Sequence, residues 1–169
     1  MSESEIFDFQ KELLLKNLEM NDAAIKNFDE QTFKIQGWSV LIWMAFIGWA
    51  FQKEIKELFY LSILVPVFFW IINAHIKYLQ RGYVITSNFL RKKLSDPKYI
   101  KEMFEKKSLL ELPAFDPGGF YTLKNSPEHK EWYNKRTSFI KAIFLKSMWI
   151  FYSSMILFSV LIVIMKFYL

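Results

Sequence analysis

The chain has no cysteine. That excludes disulfides, thiolate chemistry and cysteine-ligated metals. It has two histidines, His75 and His129, and no HExxH or paired-histidine spacing. No GxGxxG, P-loop or GxSxG motif occurs either. The acids near serine or histidine form no recognisable catalytic spacing, so no enzyme activity, cofactor or metal is expected. Glycine and proline number five each, and three of the prolines and two of the glycines fall in one stretch, ELPAFDPGGFYTLKNSP. No repeat or low-complexity tract is present, and no β-sheet of any size is expected, although GGFYTL could form one short strand.

Charge is the most informative absence. No Asp, Glu, Lys or Arg occurs from Ile35 to Gln52, from Leu58 to Ile76, or from Ser147 to Met165, runs of 18, 19 and 19 residues. A bilayer-crossing helix needs about 20 mostly apolar residues. A soluble helix of that length would carry a polar stripe every three to four residues, and a 169-residue soluble domain has too little protein to cover three helices on all sides. The expectation is an all-α integral membrane protein with three transmembrane helices. An amphipathic N-terminal helix and a helical cytoplasmic segment between spans two and three complete it. The divisions are 1–34, a cytoplasmic helix; 35–76, a transmembrane hairpin; 77–146, a basic helical cytoplasmic region; and 147–169, the third span.

What is present fixes the orientation. Residues 1–34 hold four lysines against eight acids, net −4, a composition unlike an export signal. Residues 77–146 hold fifteen Lys and Arg against seven acids, net +8. Cationic residues flanking spans stay in the cytoplasm, so the N-terminus and 77–146 should be cytoplasmic, with the hairpin at Gln52–Glu57 and the C-terminus outside the inner membrane. The overall net charge of +5 is the sum of these opposed segments and does not signal nucleic-acid binding. Lys77, Arg81, Arg91, Lys92, Lys93, Lys141 and Lys146 suit anionic lipid headgroups or could pair with the acidic arm; the lipid is favoured for those nearest the spans. Trp38, Trp70, Tyr78 and Trp149 fall near interfaces, whereas Trp43 and Trp49 are expected to face protein.

The arm places Leu14, Leu18, Asn21, Ile25, Phe28, Thr32 and Ile35 at alternating spacings of four and three, a heptad seam. Either it packs on its own chain or it joins a second copy; Leu14, Leu18, Ile25 and Phe28 are the candidate oligomer contacts. This helix is expected to run into span one, with Gly37 as a kink site. Span two carries Pro66, tolerable within a span, and is expected to continue as a helix to about Leu94. SDP at Ser95–Pro97 reads as a helix start, with the helix ending near Ser108. Ser126-Pro127-Glu128 reads as another start, of a helix unbroken to Leu169. Candidate pore or interface lining residues are Asn73 and His75 near the end of span two, and Ser147 and Ser154, seven apart on one face of span three.

IKNFDEQTFKIQGWSVLIWMAFIGWAF and PVFFWIINAHIKYLQRGYVITSNFLRKKL resemble a group of small bacterial membrane proteins. The residues that carry the likeness are Lys34, Ile35, Gly37, Trp38 and Ser39, then Phe69, Trp70, Asn73, Ala74 and Arg81. Asn73 stands where the group more often has an acid. The group is similar to the RipA-like octameric membrane proteins and, more loosely, to two-span membrane effectors of bacterial antiphage systems. The resemblance covers about residues 20–94 and implies homo-oligomers and a defence or stress role. Three functions compete: an oligomeric, membrane-perturbing or pore-forming effector; a non-catalytic adaptor that recruits a cytoplasmic protein partner; and a channel or transporter component. The lack of charge within the spans counts against an ion-coupled transporter.

Overall fold

The computed structural model describes residues 3–53, 55–107, 122–125, 127 and 129–167. Every regular element among them is an α-helix: α1 Glu3–Lys53, α2 Lys56–Leu94, α3 Pro97–Lys106, α4 Thr122–Asn125, α5 Lys130–Arg136, α6 Phe139–Ile143 and α7 Lys146–Phe167. The chain forms two compact units. The first comprises Met1–Phe28 and Leu79–Thr137, the second Asp29–Tyr78 and Ser138–Leu169.

α1 and α2 are long because nothing in their sequences stops them. α1 is one helix of 51 residues, and the arm does run into the first uncharged stretch. α2 passes through Pro66 and ends at Leu94, as its lack of other breakers suggested. The proline ring removes one backbone donor there. Asp96 caps α3: its carboxylate accepts from the Lys98 backbone N–H at 3.0 Å, and Pro97 opens the first turn. α3 closes on Lys107, whose φ of 46° is left-handed and whose N–H returns to the Met103 carbonyl.

In the first unit, Phe7, Leu14, Leu90 and Met103 form a core joined by Leu18, Phe89, Leu94, Tyr99 and Ile100. A second cluster gathers Ile85, Leu123 and Tyr133 with Phe89 and Trp132. Polar bonds tie the arm to α2. Arg91 and Ser87 both donate to the Asp22 carboxylate, at 2.5 and 3.0 Å. Gln80 donates to the Ile25 carbonyl at 2.9 Å; within α1, the fully buried Asn21 donates to the fully buried Asn17 at 3.2 Å. The arm and much of the basic segment, separate in sequence, are thus one unit.

In the second unit, Phe69, Ala74, Met148, Tyr152 and Met155 form the central cluster, and Ala50, Phe59 and Val163 a further one. Its outer faces carry exposed Leu41, Met44, Leu64, Phe68, Leu157 and Leu161. Two helical stretches are long and apolar enough to cross a membrane, Glu57–Leu94 and Lys130–Lys166, and only 28% of the most apolar part of each is buried. A soluble protein's core helix would be mostly covered. Ile35–Gln52 is also uncharged, but three tryptophans, two glycines and two glutamines dilute its apolar character.

The unbroken helix expected from Ser126 to Leu169 is not what forms. Its described part starts at Lys130 and is interrupted twice, after Arg136 and after Ile143. At the first break Ser138 is extended, and the Thr137 N–H and hydroxyl both donate to the Tyr133 carbonyl, at 2.9 and 3.0 Å. At the second, the Ile143 carbonyl accepts from the Trp70 indole at 3.0 Å. Thr122 and Leu123, expected in a short strand, lie in α4. The rest of GGFYTL, most of the Pro- and Gly-rich stretch, and Ser108, Ser126 and Glu128 lie outside the described residues.

Candidate functional site

Polar side chains buried in an apolar unit need hydrogen-bond partners, from other side chains or from the backbone. The second unit holds two such groups. In one, the Trp43 indole N–H donates to the Ser159 hydroxyl at 2.7 Å. Ser159 gives its single proton to the Met155 carbonyl at 3.0 Å, with the Ser62 carbonyl 3.4 Å away as a second acceptor. Ser62 itself donates to the Phe59 carbonyl at 2.6 Å. In the other, Asn73 donates its amide N–H to the Tyr152 hydroxyl at 3.1 Å. The Tyr152 ring stacks on Trp70 with centroids 6.2 Å apart. Ser39, whose own hydroxyl donates to the Gln36 carbonyl at 2.7 Å, is a second side-chain neighbour of the Tyr152 phenol.

α1, α2 and α7 all supply hydroxyl or amide side chains: Ser39 on α1, Ser62 and Asn73 on α2, Tyr152 and Ser159 on α7. All five are fully buried or nearly so. Tyr152 and Ser159 are seven residues apart, which puts them on one face of α7. Small residues allow close helix approach, and buried inter-helix hydrogen bonds fix register.

Two polar atoms are left open: the Asn73 carbonyl oxygen and the Thr32 hydroxyl are buried with no hydrogen-bond partner among the described residues. A buried acceptor left unpaired costs about 1–3 kcal/mol. The amide is neutral, so the position provides a hydrogen-bond acceptor and no fixed charge.

The other expected residues fall elsewhere. His75 is exposed, with the Tyr78 and Phe139 rings 6.3 and 6.4 Å away, and does not join Asn73. Ser147 and Ser154 share a face, but that face is exposed, and the Ser154 hydroxyl returns to the Phe151 carbonyl at 2.8 Å. Leu14 is buried against Leu90 and Met103 of its own chain, which leaves it no surface for a second copy. Leu18 packs on the same cluster. Ile25 and Phe28 are half-buried, Phe28 beside the Tyr83 ring. Asn21 and Thr32, the polar positions of the seam, are buried.

Among the basic residues, Lys77 pairs with Asp29 at 2.6 Å and Arg91 with Asp22, so both meet the acidic arm. Arg81 is half-buried, which holds its guanidinium below the usual range without neutralising it. Lys141 and Lys146 are exposed. Trp43 faces protein as expected; Trp49 is exposed. No cluster of three or more His, Asp or Glu able to hold a metal occurs among the described residues. Sequence reading missed Trp43, Ser62 and Ser159 as a group, since each is common alone and only helix pairing joins them. Comparison with known protein families, curated proteins and solved structures finds no match for this chain.

Proposed function

We propose that the chain is a non-catalytic, homo-oligomeric protein of the bacterial inner membrane that acts as a membrane-perturbing or pore-forming effector in antiphage defence or a stress response. Three helices cross the bilayer, the Ile35–Gln52 part of α1 joining the two most apolar stretches. The N-terminus and the basic region lie in the cytoplasm, and the C-terminus lies outside. The partition of Lys and Arg supports that orientation. The defence role is drawn from the resemblance over about residues 20–94.

The observation that carries the reading is the buried polar groups inside an apolar unit, with the Asn73 carbonyl unpaired. Packed, these groups are dry. A change in helix packing would expose the Asn73, Tyr152 and Ser159 polar atoms to water, and a dewetted constriction that becomes wet conducts. Copies would assemble with the exposed face that bears Ser147 and Ser154 turned to the path or to a neighbour, since small hydroxyl residues favour close helix approach.

The test is dye leak from liposomes and membrane depolarisation in cells. Asn73→Leu and Ser154→Leu should each reduce leak at unchanged membrane level. Absence of conductance and leak under every condition, with neither variant changing growth, would replace this reading with the adaptor. The exposed Ile6, Phe9, Leu15 and Met20 of α1 are the surface an adaptor would offer a cytoplasmic partner.

A further inference from the structure

The first unit contains a cavity of about 590 Å³ that the polar groups above do not touch. Its volume lies within the range of small-molecule sites, roughly 300–1,000 Å³. One wall is the C-terminal end of α2, where Asn88, Phe89, Lys92 and Lys93 recur at spacings of three and four and are followed by Asp96. The facing wall is α5, where His129, Trp132 and Arg136 fall at i, i+3 and i+7.

The charge on these walls is unbalanced. Lys92, Lys93 and Arg136 face one carboxylate, Asp96, which already caps α3. None of the three cations has an ion-pair partner among the described residues, whereas Arg91 in the same unit pairs with Asp22 and Lys101 with Glu105. What sets these three cations apart is their place: all of them line the same hollow. Arg136 lies over the Trp132 ring, 4.6 Å from its centroid, which orients the guanidinium plane while its N–H groups remain available. Lys93 is 5.4 Å from the Tyr99 ring centroid.

We infer that this cavity is a binding site for a phosphate-bearing ligand. Lys92 and Lys93 would supply point charges, and Arg136 a two-pronged donor for the phosphoryl oxygens. Phe89 and Trp132 would provide an apolar wall for the rest of the molecule. The phosphoryl group could belong to a soluble phosphate ester or to an anionic lipid headgroup. The inference is independent of the pore reading, because binding is measured directly on the full chain.

The experiment uses the full-length protein in phosphatidylcholine nanodiscs, titrated with pyrophosphate and with ATP by isothermal calorimetry. A second arm measures phosphatidylglycerol against phosphatidylcholine adducts of the detergent-solubilised protein by native mass spectrometry. Saturable binding of either soluble probe, weakened about tenfold by Arg136→Gln and by Lys92→Gln, supports a soluble ligand. Phosphatidylglycerol adducts lost in the same variants support the headgroup. Lys98→Gln removes an equal charge outside the cavity and should leave binding unchanged; circular dichroism checks that all variants keep their helicity. No saturable binding in either arm, or an equal loss with Lys98→Gln, overturns the inference.

Discussion

The two units solve the problem of polar groups in opposite ways. The first joins its helices with charged pairs whose ends reach solvent, such as Asp22 with Arg91. The second has one such pair, Asp29 with Lys77, at the ends of its first segment, and among its apolar residues it uses neutral pairs: Trp43 with Ser159, and Asn73 with Tyr152. The difference follows the surroundings each expects. An ion pair at a wet surface contributes little and is screened by salt, but it costs little to form. A charge among apolar helices costs several kcal/mol, so amides, hydroxyls and indoles carry inter-helix polar contacts there.

That contrast can be broken most severely at Tyr152, the largest fully buried side chain. Tyr152→Ala removes its packing and the partner of the Asn73 amide. It should cost about 3–5 kcal/mol, seen as loss of a monodisperse, detergent-extracted protein. Leu14→Ala makes the corresponding hole in the first unit, at about 2–5 kcal/mol. It should lower the midpoint for protease cleavage in residues 79–137 and leave cleavage of the second unit unchanged.

Smaller changes sharpen the comparison. Trp43→Phe keeps a ring and deletes only the indole N–H to Ser159. The expected loss is about 0.6–1.5 kcal/mol, from double-mutant cycles with Ser159→Ala. Asp22→Asn should cost least, about 0.2–1 kcal/mol. Its effect should shrink as NaCl rises from 0.05 to 0.5 M, on the order of a threefold shorter screening length, while that of Trp43→Phe should not. A salt-sensitive Trp43→Phe would mean that water reaches the second unit's polar groups in the resting protein.

Much of the helical layout was readable along the chain. α2 runs to Leu94 and α3 starts after an Asp-Pro cap because breakers and caps act locally, through residues adjacent in sequence. The division of the last helix was not readable. At its first break Ser138 turns extended with no proline or glycine to mark it, and at the second the Trp70 indole, 73 residues away, holds a carbonyl. The heptad seam was visible, but not its occupant: Leu14 meets Leu90 and Met103, contacts across more than 70 residues. On α7 the seven-residue spacing of Ser147 and Ser154 had the right period, yet the interior takes Tyr152 and Ser159. Period is set by helix geometry, whereas phase is set by the neighbouring helices.

Sequence alone determined that this chain is helical, that it carries long uncharged runs, and that its acidic and basic segments are separated. Each of these depends on composition and on residues within a turn or two of one another. Tertiary structure decided which polar residues are buried together, which cations are neutralised by the arm, and which three surround a cavity. Those outcomes depend on the register between helices distant in the chain, and register is a property of packed side chains that no single segment contains.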